Sequence, residues 1–244
     1  YAQATGKLGV AYGTRGPGMT NMITAIADAY YDSTPVMFFT AHSSTELKPD
    51  MRVLNNQEID TVSLVKNVTK KAVRIDRLEE LQREIMEAYR QATTGRKGPV
   101  FLDIFSGLFG KEVEDAEDLA ADQMTDKTAA AAAAAEIEAR IKNAKRPVLL
   151  VGSGTRYGAA PARIRQAAAK YGIPILSSRA AQDVVPDSSE YFGFVGSRAT
   201  RYSNFILSKA DLIIALGNRM AFPAQSKSFR PIVENAFTIR VDVD

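Results

Sequence analysis

The sequence contains no cysteine and no tryptophan, and its only histidine is His42. Without cysteine the chain has no disulfide, no thiolate nucleophile and no zinc–thiolate site. A single imidazole also excludes metal cages and catalytic triads that need more than one histidine. Enzyme classes that depend on cysteine or on several histidines are therefore ruled out.

Long apolar runs and a strong charge imbalance are also lacking. No apolar run approaches the roughly 18 residues that a membrane span needs, and the sequence does not start with a charged-then-apolar signal pattern. Lys and Arg total 31 against 28 Asp and Glu, a net charge of +3. No basic run is interleaved with aromatic residues. We therefore expect a cytoplasmic protein that binds neither membranes nor nucleic acid.

The composition is that of a globular protein, with 45% apolar and 24% charged residues among 244. This length fits two domains of ordinary size. In the first half, short apolar runs alternate with helical periodicity. Strands are predicted at 7–12, 35–40, 70–75 and 99–104, and helices at 19–31 and 77–92. Such alternation favours a parallel sheet.

The composition changes between residues 110 and 145, where an acidic stretch is followed by the alanine run 129–135. A linker followed by an Ala-rich helix is the plain interpretation, and alanine there supports no functional claim, because it is the best helix former. We predict a first domain at 1–110, a linker and helix at 111–145, and a second domain at 146–244.

The second half repeats the α/β pattern. Strands are predicted at 147–155, 173–178, 210–216 and 237–243, with a helix at 159–171. In open parallel sheets ligands bind beyond the carboxyl ends of the strands, so the turns there form the candidate site of this domain. The turn Gly152-Ser153-Gly154 is a weak signal alone, since Tyr157 stands where a dinucleotide fingerprint has its third glycine. A tight strand-to-helix turn explains it equally well.

A second glycine turn, Gly16-Pro17-Gly18, stands between a predicted strand and a predicted helix. It is either structural punctuation or a place where the backbone lets a ligand approach closely. Thr20 and Asn21 follow it with polar side chains that can cap the helix or bind a ligand.

Many short motifs, in order along essentially the whole chain, resemble the acetolactate synthase-like, thiamine-diphosphate-dependent enzymes. In the first half these are YAQATGK, GPGMTN, ADAYYDSTPV, NQEID, the pair Thr69-Lys70, and TGRKGPVFLDI. In the second half they are RPVLLVGSG, GIP, GFVG, ADLIIALGNR and VDVD. The resemblance implies two open parallel-sheet domains with helices on both faces, Rossmann-like: a pyrimidine-binding domain and a central domain.

The resemblance also implies a site. Gly16, Pro17 and Gly18 would lie against the aminopyrimidine ring of thiamine diphosphate, with Asn21 and His42 as further cofactor-binding candidates. Gln57 matches a glutamine near the reacting centre, where its amide binds the substrate carboxylate or a hydroxyl. Glu58 is interpreted as structural, and Lys70 as an ion-pair partner or a solvated surface residue.

Parts of the family pattern fall outside this sequence. The catalytic glutamate would precede Tyr1, and the third domain, which holds Mg²⁺ and the diphosphate, would follow Asp244. We therefore expect a fragment that contains no metal site and is inactive by itself. The resemblance further implies a homodimer or homotetramer, because the active site forms between two subunits.

Several positions depart from acetolactate synthases. Asn56 replaces a phenylalanine, Phe105-Ser106 replaces a Pro-Lys pair, and the segment 42–55 is about three residues longer than usual. His42 replaces a common glutamine and either touches the ligand or is a hydrogen-bonded structural histidine. Arg15 replaces a small polar residue and would meet an acidic substrate or a neighbouring carboxylate. The first three changes, at Asn56, at Phe105-Ser106 and in the longer segment, bear on substrate choice rather than on thiamine chemistry.

FAD is a possible second cofactor, because acetolactate synthases carry it on the central domain. The matching positions are Gly152, Gly154, Gly196, Gly217 and Arg219, although the Asp and second Arg that usually follow are missing. The leading function is a carboligase or decarboxylase acting on 2-keto acids. The alternatives are another lyase or sugar-pathway carboligase of the family, or a non-catalytic nucleotide-binding or assembly module.

Overall fold

A computed structural model of the chain describes residues 1–43, 55–113, 127–220 and 235–243. The chain divides into two compact units, Tyr1–Gln123 and Met124–Asp244. Each unit contains one sheet whose strand pairs are all parallel. The predicted α/β class with two parallel-sheet domains is therefore confirmed. The domain limits stay a prediction, because most of the proposed linker lies outside the described residues.

The first unit holds a four-stranded sheet in the order β1-β2-β4-β3. Its strands are β1 (Gly9–Tyr12), β2 (Val36–His42), β3 (Lys71–Ile75) and β4 (Val100–Phe105). Its helices are α1 (Ala2–Thr5), α2 (Pro17–Thr20), α3 (Ile23–Tyr31), α4 (Thr61–Val65) and α5 (Leu78–Thr93). The four strands fall on the four predicted runs. The two central strands, β2 and β4, are mostly apolar and buried, whereas the edge strand β3 also carries Lys71 and Arg74.

The single helix predicted at 19–31 is wrong in one respect, since α2 and α3 are separate. Gly16 adopts φ +56° and Pro17 starts α2. At its end the amide of Met22 bonds to the carbonyl of Met19, a three-residue spacing that tightens the chain before α3 begins. The break places the α2 turn directly beside the carboxyl end of β1.

Both faces of this sheet are covered. On one face α5 buries Ala88 and Ala92 against Val100 and Leu102. On the other face, Phe101 packs among residues of α2, α3 and α4, which include Met19, Ile26 and Val65. With helices on both faces, polar side chains can gather only at the sheet edges and strand ends, and the carboxyl end is where they do so.

The second unit holds a five-stranded sheet in the order β7-β6-β5-β8-β9. Its strands are β5 (Pro147–Val151), β6 (Ile175–Ser177), β7 (Tyr191–Phe194), β8 (Leu212–Leu216) and β9 (Phe237–Val241). Its helices are α6 (Lys127–Asn143), α7 (Ala160–Tyr171) and α8 (Arg201–Lys209). The sequence reading missed β7 and α8. The Ala-rich helix α6 packs through Ile137 and Ile141 against the core of this unit.

Across the described ranges, the helices are too short or too polar for any of them to cross a bilayer.

Candidate functional site

The candidate site is an open cleft of about 280 Å³ beside the turn that follows β1. It is lined by Gly16, Pro17 and Thr20 on one side and by the segment Gln57, Glu58 and Ile59 on the other. The resemblance assigned Gly16, Pro17 and Gln57 to the site, and the structure places all three at this cleft. Their roles stay a prediction.

Gly16 and Gln57 meet backbone to backbone. A Cβ atom added to Gly16 would lie 2.0 Å from the carbonyl oxygen of Gln57 and 3.0 Å from its carbonyl carbon. Gly16 is buried, whereas Pro17 beside it is exposed. The glycine is therefore required both by its φ of +56° and by this contact. Both residues line the cleft.

Gln57 itself has a left-handed backbone, with φ +56°. Few residues other than glycine adopt that backbone conformation. It costs about 1–3 kcal/mol and persists only where the surrounding structure enforces it. The turn is held because the amide of Glu58 bonds to the carbonyl of Asn55 at 3.1 Å. The side chain of Gln57 is exposed at the cleft. Within the described ranges no residue bonds to its amide, which can donate to or accept from a ligand.

Glu58 lines the cleft, but its carboxylate is only 1% exposed. Its Oε2 atom accepts hydrogen bonds from the amide (3.2 Å) and hydroxyl (3.0 Å) of Ser43, and Arg74 lies 3.9 Å from Oε1. Arg15 and Asn55 in turn donate to the Ser43 hydroxyl. Arg15 thus contacts the Ser43 hydroxyl, which links it to the carboxylate of Glu58.

His42 ends β2 and is 1% exposed. Its Nδ1 lies 3.0 Å from Asp103 Oδ1, and its Nε2 lies 2.9 Å from Asp76 Oδ1. Asp103 also accepts a 2.5 Å hydrogen bond from the hydroxyl of Thr61. Because both ring nitrogens are engaged inside the protein, the hydrogen-bonded alternative describes the observed His42. Direct contact with a cofactor stays a prediction for this residue.

The remaining predicted site residues lie near the cleft without lining it. An added Cβ at Gly18 would lie 2.5 Å from Thr14 Cγ2, so this glycine serves the tightness of the turn. Asn21 is exposed at the end of α2. Two lining residues, Thr20 and Ile59, were not assigned as site residues, and Ile59 carries no local signal beyond following Glu58.

Lys70 lies elsewhere, partly buried beside the end of α5, and its ammonium forms no ion pair within the described residues. Its ammonium donates to the carbonyl oxygens of Gln91 and Thr94 at the end of α5, the latter at 2.9 Å. Burial lowers the pKa of Lys70, and the charge of Arg90 lowers it further. Lys70 therefore caps a helix, because the last carbonyls of a helix lack internal partners.

In the second unit, the turns after β5 and β8 pack against each other. An added Cβ at Gly152 would lie 2.1 Å from the carbonyl oxygen of Gly217, and one at Gly154 would lie 3.0 Å from it. The Gly154 amide donates to that same oxygen at 3.1 Å. Close contact between two main-chain turns is thus sufficient to explain these glycines.

Gly196 is also engaged within the protein. Its amide donates to Asn204 Oδ1 at 3.0 Å, and its carbonyl accepts from Asn204 Nδ2 at 2.9 Å.

In the same unit, the guanidinium of Arg156 donates to the carboxylate of Asp183. Burial raises the pKa of Asp183, but Arg156 and a backbone amide outweigh that effect and hold the pKa below its usual range. Arg156 therefore ties the turn after β5 to the segment that follows β6.

Among the described residues, no group of three or more carboxylate or histidine side chains is placed to hold a metal ion. His42 with its two aspartates does not form such a group, since its nitrogens face the carboxylates themselves.

Two family models match the chain. The model described as "Thiamine pyrophosphate enzyme, N-terminal TPP binding domain" matches residues 1–64, and "Thiamine pyrophosphate enzyme, central domain" matches residues 134–244. The first match includes the whole cleft lining, and the second includes the packed glycine turns.

Curated relatives match over the whole chain. The large subunits of acetolactate synthase isozymes 1 and 2 of Escherichia coli (strain K12) are 36% and 35% identical. The large subunit from Lactococcus lactis subsp. lactis (strain IL1403) is 32% identical. Each alignment covers 100% of this chain but only 42–44% of the relative. The chain thus spans about two fifths of the length of these relatives.

Proposed function

The chain belongs to the thiamine pyrophosphate enzyme family, and from this we propose that its cleft receives the aminopyrimidine end of thiamine diphosphate. We further propose that the protein acts in the carboligation or decarboxylation of 2-keto acids. The contact between Gly16 and Gln57 carries the proposal, because it brings two main-chain segments together where both residues line the cleft.

The residues present fit a flat heterocycle. A cleft of about 280 Å³ is larger than a single aromatic ring needs, and Gly16 brings no side chain into it. Pro17 and Ile59 offer apolar surface for the ring faces, while Thr20 and Gln57 offer groups for its polar edge. Specific pockets combine apolar walls with a few placed polar groups in this manner.

When bound, thiamine diphosphate supplies an acidic ring carbon and an electron sink for the decarboxylation of a 2-keto acid. The chain itself supplies orientation. Gln57 is suited to bind the substrate carboxylate or hydroxyl, since its amide is exposed and its backbone is held by the turn. Glu58 is unsuited to exchange protons freely, because Ser43 occupies one of its oxygens twice. It acts as a fixed support for the wall.

The departures near the site bear on the substrate. Asn56 and the Phe105-Ser106 pair stand where acetolactate synthases have other side chains, so we propose a 2-keto acid chemistry whose acceptor differs from that of the relatives. A second copy of the chain is the proposed partner that completes the site.

Thiamine itself tests the cleft. Titrated into the ¹⁵N-labelled chain, it should shift the amide resonances of Gly16, Gln57 and Glu58, because these surround the cleft. Its isolated thiazole half is the matched control and should leave them unchanged, since it lacks the aminopyrimidine. Shifts confined to the second unit, or none at the highest soluble thiamine concentration, would contradict the proposal.

Flavin binding by the second unit stays a prediction. The contacts among Gly152, Gly154 and Gly217 and between Gly196 and Asn204 account for these glycines without a flavin. Arg219 follows β8 at the carboxyl end of the sheet, where a nucleotide phosphate would lie. The absorption spectrum of the purified chain checks this, because a flavin gives a visible yellow band. A colourless chain that gains no band with added FAD contradicts it.

A further inference from the structure

His42 lies at the centre of a buried polar cluster that links three strand ends to the cleft. The cluster joins β2, β3, β4 and the segment before α4. Its members, in order of contact, are Thr61, Asp103, His42, Asp76, Arg74, Glu58, Ser43 and Arg15.

The geometry constrains the protons on His42. Both ring nitrogens lie within 3.0 Å of a carboxylate oxygen. An ionised carboxylate only accepts hydrogen bonds, and a neutral imidazole has one N–H and one bare lone pair. One of the two contacts would then bring a lone pair against a carboxylate. An imidazolium satisfies both contacts, because it donates from both nitrogens.

The charges around the ring agree with a cation. With His42 protonated, its ring lies between the carboxylates of Asp76 and Asp103, and Arg74 lies between those of Asp76 and Glu58. A neutral His42 would leave the buried Asp103 without a cation in contact among the described residues, and such a charge is costly.

The alternative position for the proton is on a carboxyl group. Asp76 is unsuited to hold it, because it is one-third exposed and also accepts from Arg74 Nε at 3.3 Å. Asp103 already accepts from Thr61 through its other oxygen. An imidazole is ordinarily a stronger base than a carboxylate by a factor of a few hundred, at about 2.5 logarithmic units. The proton therefore belongs on the ring.

We propose that His42 is held as an imidazolium and is a positioning residue for the cleft. It fixes Asp76, which orients Arg74, and Arg74 in turn stands opposite Glu58 at the cleft wall. His42 also sets the chain direction at Ser43, whose amide holds the other oxygen of Glu58. The catalytic meaning of this arrangement rests on the proposed function, but its test needs no bound ligand.

Because the chain has one histidine, ¹⁵N NMR of its side chains reports His42 without assignment ambiguity. At about pH 8, where a free histidine side chain is almost entirely neutral, we expect two protonated ring nitrogens in the full chain. One protonated and one bare ring nitrogen under these conditions would overturn the proposal. Thiamine binding plays no part in this measurement, so its failure is distinguishable from failure of the proposed function.

Asp76→Asn tests the link to the cleft. Loss of one counter-charge should return His42 to one bare nitrogen at the same pH, and the ¹³C resonance of the Glu58 carboxylate should move with it. Asp187→Asn in the second unit is the matched control and should change neither signal, since Asp187 is exposed. If the ring nitrogens of His42 respond while the ¹³C resonance of Glu58 does not change, His42 has only a structural role and the positioning role is overturned.

Discussion

Gly16→Ala is expected to lower the free energy of unfolding of the first unit by at least about 3 kcal/mol. The new Cβ would lie 2.0 Å from the carbonyl oxygen of Gln57, which is backbone and cannot rotate away. The left-handed φ of +56° adds a further cost of about 1–2 kcal/mol for any residue with a Cβ. Either the turn after β1 or the segment at Gln57 must shift, so the cleft should also lose its response to thiamine.

Gly95→Ala separates the two costs of the Gly16 change. Gly95 has nearly the same φ, +57°, but a Cβ added there meets nothing within 4 Å. It should therefore cost only about 1–2 kcal/mol and leave thiamine binding intact. Urea unfolding followed by NMR resonances of β4 gives both values for the first unit alone. Equal losses in the two variants would show that the Gly16–Gln57 contact is not a constraint.

Asp103→Ala should destabilise the first unit by about 3–5 kcal/mol, the usual result of removing one partner of a buried ion pair. Asp103 is 1% exposed and holds both His42 and the hydroxyl of Thr61. The variant leaves an imidazole and a hydroxyl buried without their acceptor. It also removes the hydrogen bond between Thr61 of α4 and Asp103 of β4.

Asp60→Ala is the matched control, since Asp60 is an exposed carboxylate only one residue from Thr61. It caps α4 by accepting from the amide and hydroxyl of Ser63, at 3.1 and 2.5 Å. Its removal should cost about 0.5–2 kcal/mol, as for other helix caps. Should Asp103→Ala cost no more than this cap in the same urea experiment, the buried cluster contributes little to stability.

The strands were predictable because their signal is local. β8 is a continuous apolar run of the kind that a parallel sheet buries on both faces, and β4 is such a run interrupted only by Asp103. Each is followed by a small or polar residue. β7 was missed because Gly193, with φ +90°, interrupts a run of only four residues. α8 was missed although Thr200 accepts from the Ser203 amide at 3.4 Å, as a helix N-cap does.

The candidate site was predictable only in part. The Gly-Pro-Gly turn and Gln57 were assigned through the family resemblance, and the structure brings Gly16, Pro17 and Gln57 to one cleft. The cluster around His42 was not predicted. Its partners Asp76 and Asp103 stand 34 and 61 residues further along the chain. Asp103 lies in the motif TGRKGPVFLDI, but nothing in that motif indicates its contact with His42.

By itself the sequence determined the absence of cysteine chemistry, the two runs of alternating strands and helices, and the resemblance to thiamine enzymes. These follow from composition, from apolar periodicity and from short motifs, none of which depends on contacts between distant parts of the chain. Tertiary structure decided that Gly16 meets the Gln57 carbonyl, that Gly152 packs closely against the Gly217 carbonyl, and that His42 lies between two carboxylates. Such contacts depend on strand order and register, which bring together residues that are far apart in the chain.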